Sequence, residues 1–119
     1  MDQLLNFSAD IPIYVQIAER LCDEILSGKY AEDSRVPGVR EYSVLFEVNV
    51  NTTTKAYDRL AQQGIIYQKR GMGYFVALGA KDLILTQRKQ HFMHHTMPQI
   101  KARMQMLGIS REEIMDFLK

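Results

Sequence analysis

Asn49, Asn51, Thr52 and Thr54 place two carboxamides and two hydroxyls within six residues, and Lys55 follows directly. Short polar side chains at a helix start can do two things. They cap the orphan N–H groups of the first turn, or they reach outward to the base edges of a duplex major groove. An asparagine can pair bidentately with adenine, and a threonine offers a hydroxyl to a base or its methyl group to thymine. Arg40, upstream, has the fork geometry for guanine or a phosphate. A second polar group, Lys69-Arg70-Gly71, lies between two apolar runs. There Lys69, like Lys55, suits a phosphate, and the Arg70-Gly71 tip would carry a guanidinium into or beside a minor groove. Arg40, Asn49, Asn51, Thr52, Thr54, Lys55, Lys69, Arg70 and Gly71 are thus the candidate contacts to double-stranded DNA. The alternative for Arg40 is a surface ion pair with Glu41 or Glu47. For the asparagine and threonines it is an ordinary first turn.

The elements that must position these residues are legible from periodicity and punctuation. Asp10-Ile11-Pro12 reads as a helix start. Tyr14, Ile17, Ala18, Leu21 and Ile25 recur at helical spacing as one buried face, and Gly28 is a stop. Arg35-Val36-Pro37 can pair only as a short edge strand, because Pro37 has no donor. Residues 38–46 form a second helix with Val39, Tyr42 and Leu45 or Phe46 inward. Glu47-Val48-Asn49 is a turn, and Asn49 caps a third helix that stops at Gly64. Its inward face is Val50, Thr53, Ala56, Tyr57 and Leu60, and its early outward face is Asn51, Thr52, Thr54 and Lys55. Two β runs flank Arg70-Gly71-Met72-Gly73, a tip in which glycine permits positive φ. Tyr42, Tyr57, Tyr67, Tyr74 and Phe75 read as core and hairpin packing.

From Gly79 the pattern is helical again, with Pro98 breaking the helix or starting a new one. Ile100, Met104 and Leu107 continue to Gly108. Ser110-Arg111-Glu112-Glu113 is a capping box, followed by Ile114, Phe117 and Leu118 on one side. This appendage of roughly forty residues is too small for its own core. It must pack on the first domain or on a second copy, and the second copy is the expectation. Met93, Met97, Met104 and Met106 fit an adaptable apolar interface. His91, His94 and His95 are the only candidates for a zinc site, and no carboxylate or cysteine close by completes one.

The fold class that follows is mostly α with a small β-hairpin. Residues 1–77 form a winged helix-turn-helix, and residues 78–119 a short C-terminal helical dimerisation segment. Net charge is +1, but its distribution is uneven. Residues 1–34 carry two basic side chains against seven acidic ones, and residues 35–76 carry six against three. The basic section is the one with the candidate contacts. The lone cysteine, Cys22, forms no internal disulfide and reads as a half-buried small hydrophobe. No apolar run is long enough to span a bilayer. Residues 1–6 lack a signal-peptide pattern, so a cytoplasmic location is expected. No catalytic residue or cofactor is expected, since no nucleophile motif or phosphate loop occurs, and Gly71-Met72-Gly73 lacks the flanks of a dinucleotide site.

Several motifs, in order, resemble the GntR family of bacterial transcription regulators. Ile11-Pro12-Ile13-Tyr14-Val15-Gln16-Ile17 opens the first helix. Arg35-Val36-Pro37-Gly38-Val39-Arg40-Glu41 is similar to the family's "LPSVRE" box. Val48-Asn49-Val50-Asn51-Thr52-Thr53 resembles its recognition-helix start, and Arg70-Gly71-Met72-Gly73-Tyr74-Phe75-Val76 its wing. Leu107-Gly108-Ile109-Ser110-Arg111-Glu112-Glu113 is similar to the YtrA-like branch, whose short helical tail dimerises. The resemblance implies a homodimeric regulator, most often a repressor, on a palindromic operator, with an unknown effector. Gly38, Val50, Thr53 and Thr54 depart from the family pattern, and Gly38 removes a side-chain cap. Two other classes are a winged-helix protein adaptor and a small-molecule or metal sensor acting through the tail.

Overall fold

The computed structural model describes residues 11–119. Residues 1–6 and Asp10 of the expected helix start lie outside the described residues. Helix α1 spans Ile13–Leu26, and its N-cap is Pro12 at φ −57°. The proline carbonyl accepts from the N–H groups of Val15 (3.1 Å) and Gln16 (3.2 Å). Proline thus stands one position before the helix, where its missing donor costs nothing. At the other end Gly28, at φ +89°, lets Lys29 N–H reach the Glu24 carbonyl and Gly28 N–H the Ile25 carbonyl. That pair of bonds is a Schellman stop.

Helix α2 (Val39–Phe46) and helix α3 (Val50–Gln62) are joined through Glu47, which adopts a left-handed conformation. The expected inward residues Tyr42, Thr53, Ala56, Tyr57 and Leu60 are all buried. Phe46 is buried and Leu45 exposed, which decides between the two. Val50 is a correction: it is exposed. As the first helical residue its side chain leans toward the helix start, past the edge of the core.

Strands β1 (Ile66–Lys69) and β2 (Gly73–Val76) form an antiparallel hairpin in the register Ile66–Val76 to Lys69–Gly73. Its second edge is covered by the segment before α2. Val36 N–H donates to the Tyr74 carbonyl and Val76 N–H to the Ser34 carbonyl. Pairing ends at Pro37, as its missing donor requires.

The core of this unit joins α1, α2, α3, the hairpin and the start of helix α4 (Ala80–His91). Cys22 lies fully within it. Compactness divides the chain at Ile84 and Leu85, beyond the 77/78 boundary read from the sequence, because Ala80 and Ile84 are buried in the first unit's core. Two polar residues that the periodicity did not single out, Gln16 and Glu24, are also buried. Glu24 Oε1 accepts from the Tyr42 hydroxyl at 2.5 Å, while Oε2 faces Lys29 Nζ (3.4 Å) and Arg20 Nε (3.7 Å). Burial first, and then this bond, hold the Tyr42 phenol well above its ordinary pKa, so the hydroxyl stays a donor.

The second unit, Leu85–Lys119, contains the end of α4, a π-helical turn at Phe92–Thr96, helix α5 (Met97–Met106) and helix α6 (Arg111–Leu118). Pro98 does not break the chain; it lies in the first turn of α5, as the second of the two expected alternatives has it. The backbone stays helical from His91 through Met97, and Met97 N–H reaches back to the Phe92 carbonyl. A wide turn accommodates a proline whose ring and missing N–H disrupt the regular ladder. Gly108, at φ +69°, ends α5. Ser110 and Glu113 then make both bonds of the expected capping box, at 3.1 and 2.8 Å. The Ser110 N–H bond to the carboxylate, and then the Ser110 side chain, lower the Glu113 pKa by favouring the charged form. No residue from 85 to 119 is buried; Ile114 is half-buried, and Phe117 and Leu118 are exposed.

Tyr42→Phe leaves one oxygen of a buried carboxylate without its donor. We expect a loss of about 1–3 kcal/mol in unfolding free energy by urea titration. An unchanged midpoint would show that Glu24 does not need the hydroxyl.

Candidate nucleic-acid interface

The front of α3 separates capping from outward presentation. Asn49 adopts an extended backbone, and its Oδ1 accepts from Asn51 N–H at 2.7 Å. One carboxamide oxygen is therefore committed to the helix, as the sequence reading of an N-cap requires. Asn51 next to it is exposed, Thr52 and Thr54 are half-exposed, and Lys55 is exposed. Thr53 between them points into the core, where its hydroxyl and that of Ser43 hydrogen-bond each other at 2.8 Å. This polar cross-link between α2 and α3 accounts for threonine in place of the family's aliphatic residue.

Arg40 sits in the first turn of α2 and is exposed. Among the described residues, no ion pair joins it to Glu41 or Glu47. Glu41 instead accepts from Gly38 N–H (3.4 Å), half of a capping box whose other half glycine cannot supply. Gly38 makes no side-chain cap, as its identity dictated. The Arg40 fork is left to solvent.

The two lysines are held by aromatic faces. Lys55 Nζ lies 4.2 Å from the centroid of Tyr14 on α1. Ile13, Tyr14, Asn51, Thr52 and Lys55 line one shallow depression there. Lys69 Nζ lies 4.3 Å from the centroid of Phe75, whose ring stacks on Tyr67 (5.9 Å). Such contacts restrain a long side chain and leave its charge in place. Arg70 and Gly71 form the exposed tip, and Gly71 has φ +75°. Sequence reasoning gave no role to Arg35, whose Nε donates to the Met72 carbonyl of that tip at 3.0 Å. Proximity across 37 positions leaves no local periodicity to read.

The aromatic residues act as packing, as expected. Tyr57 donates to the Pro37 carbonyl at 2.6 Å and stacks edge-on against Tyr74. Of the three histidines, only His91 and His95 come together, with ring centroids 4.9 Å apart. Among the described residues no group of three His, Cys, Asp or Glu side chains could hold a metal ion. Among them, too, no helix is long and apolar enough to cross a membrane.

Residues 13–76 match "Bacterial regulatory proteins, gntR family". The chain belongs to the GntR family. The HTH-type transcriptional repressor YtrA of Bacillus subtilis (strain 168) is 30% identical over 108 residues, covering 91% of this chain and 82% of that protein. The crystal structure of a GntR-family putative transcriptional regulator from Bacteroides thetaiotaomicron is 46% identical, with a TM-score of 0.79, over 90% of this chain and 93% of that one. AraR(DBD) in complex with operator ORX1 is 32% identical, with a TM-score of 0.56, over 65% of this GntR chain and 93% of the AraR chain. These relatives are regulators, which bears out the reading of a winged helix-turn-helix regulator and not an enzyme.

Asn49→Ala removes the cap that organises the exposed turn. It should lower stability by about 0.5–2 kcal/mol, while Asn49→Asp retains most of it. Urea titration of the three proteins decides the point, and equal stability of the alanine variant and the wild type would contradict it.

Proposed function

We propose that this GntR-family chain is a cytoplasmic, sequence-specific DNA-binding repressor that acts as a homodimer on a palindromic operator. The observation that carries the reading is the division of labour on α2 and α3. Their inward faces are spent on the core, the Asn49 oxygen is spent on a cap, and Arg40 and Asn51 stand exposed in the first turns. In a helix-turn-helix, base reading falls to the front of the second helix. Asn51, with Thr52 and Thr54, supplies bidentate and hydroxyl contacts there, and Arg40 supplies a guanine or phosphate fork. Lys55, Lys69 and the Arg70-Gly71 tip supply charge along the backbone and the minor groove. Asn49 retains its amide N–H groups for a phosphate.

The second unit supports the dimer. It exposes Phe92, Met93, Met97, Ile100, Met106 and Leu107 and buries nothing. An apolar helical surface of this kind gains by pairing with its own copy, and two-fold pairing matches a palindrome with half-sites a helical turn or more apart. The repressor name of YtrA and the operator complex of AraR favour repression through operator DNA.

Arg40→Ala should weaken operator binding by about 1–3 kcal/mol and relax discrimination at one base pair. Sedimentation should still give the dimer mass. Unchanged operator affinity in that variant would refute the assignment.

A further inference from the structure

The wing carries a cation that its own sequence does not encode. Arg35 belongs to the segment before α2, where it pairs with Phe75 along the edge of β2. From there its side chain crosses the tip of the hairpin. Nε–H donates to the Met72 carbonyl at 3.0 Å, and the guanidinium lies against Gly73. A Cβ at position 73 would stand 3.1 Å from Arg35 Nε and 3.4 Å from Nη2, and the backbone there has φ +101°. The backbone conformation at 73 favours glycine, and its bare Cα lets the guanidinium lie close over it.

This contact has two consequences. It ties the turn of the wing to the strand segment that leads into α2, so tip and helix pair are held by one side chain. It also uses only one of the five N–H donors of the guanidinium. Among the described residues the two amino groups have no partner, and Arg35 is exposed. A planar arginine held through Nε, with its amino groups unpaired among the described residues, is suited to a phosphate or the wall of a narrow minor groove beside Arg70.

We propose that Arg35 is a DNA-contacting residue of the wing, set in place by its bond to Met72, and that the wing presents Arg35 and Arg70 together. The proposal rests on the DNA-binding reading above. The test is operator binding by the full-length chain across a salt series, for wild type, Arg35→Met and Arg35→Lys. Losing one phosphate contact should make log K against log[salt] shallower by about 0.9 per bound subunit and weaken binding about tenfold near physiological salt. Arg35→Lys keeps the charge and should keep the wild-type slope, with a few-fold loss from the missing Met72 bond. Circular dichroism of Arg35→Met should remain that of the wild type. An unchanged slope in Arg35→Met, with or without a loss of affinity, overturns the contact and leaves Arg35 a strut at most. Absence of salt-dependent binding in the wild type would instead defeat the operator reading itself.

Discussion

Two tyrosine hydroxyls set the angle at which the helix pair meets the outside world. Tyr42 and Tyr57 are completely buried and lie side by side, with ring centroids 6.0 Å apart. Each ends on an oxygen that must be there: Glu24 on α1 for Tyr42, and the Pro37 carbonyl before α2 for Tyr57. A buried hydroxyl without a partner costs far more than a formed bond returns, so each ring has one acceptable position. The Ser43–Thr53 contact adds a third polar tie, directly between α2 and α3. Apolar packing alone tolerates sliding and repacking. These three bonds do not, and they lie behind the exposed turns bearing Arg40 and Asn51.

Much of this architecture was legible in the residues. Pro12, Gly28, Asn49, Gly64 and Gly108 act locally, through φ, a missing donor or a side-chain oxygen, and each marks a helix boundary within a residue or so. Most of the inward faces followed from periodicity, but Val50 is exposed and Tyr14 and Val39 are only half-buried. The acid beneath Tyr42 did not, because a glutamate at a core-facing position looks like any charged helix residue until its long-range partner is known. Arg35 escaped for the same reason: its partner is Met72, in the wing. Thr53 looked like a departure from the family pattern, and only the facing Ser43 gives it a role. Among the contact candidates, Asn49 illustrates a further limit. Its residue type suits both a cap and a base contact, and geometry assigns its oxygen to the cap.

The tail shows where local signals stop. Its capping box and its glycine stop form as read, yet nothing in residues 85–119 becomes buried. Pro98 was read as a break or a new start, and it falls in the first turn of α5, after one wide turn that keeps the backbone helical. Local rules build the helices of this unit without giving them a core, and the proposed dimer would supply one.

In the function proposed above, the polar front of α3, with Arg40 and the wing, reads duplex DNA. The most direct measurement is fluorescence-anisotropy titration of the full-length chain against the DNA immediately upstream of its own gene and a scrambled duplex, at two salt concentrations. Tight binding to the upstream DNA, much weaker binding to the scrambled duplex, and a steep loss of affinity with salt are expected. Absence of binding to either duplex at low salt would contradict the proposed function.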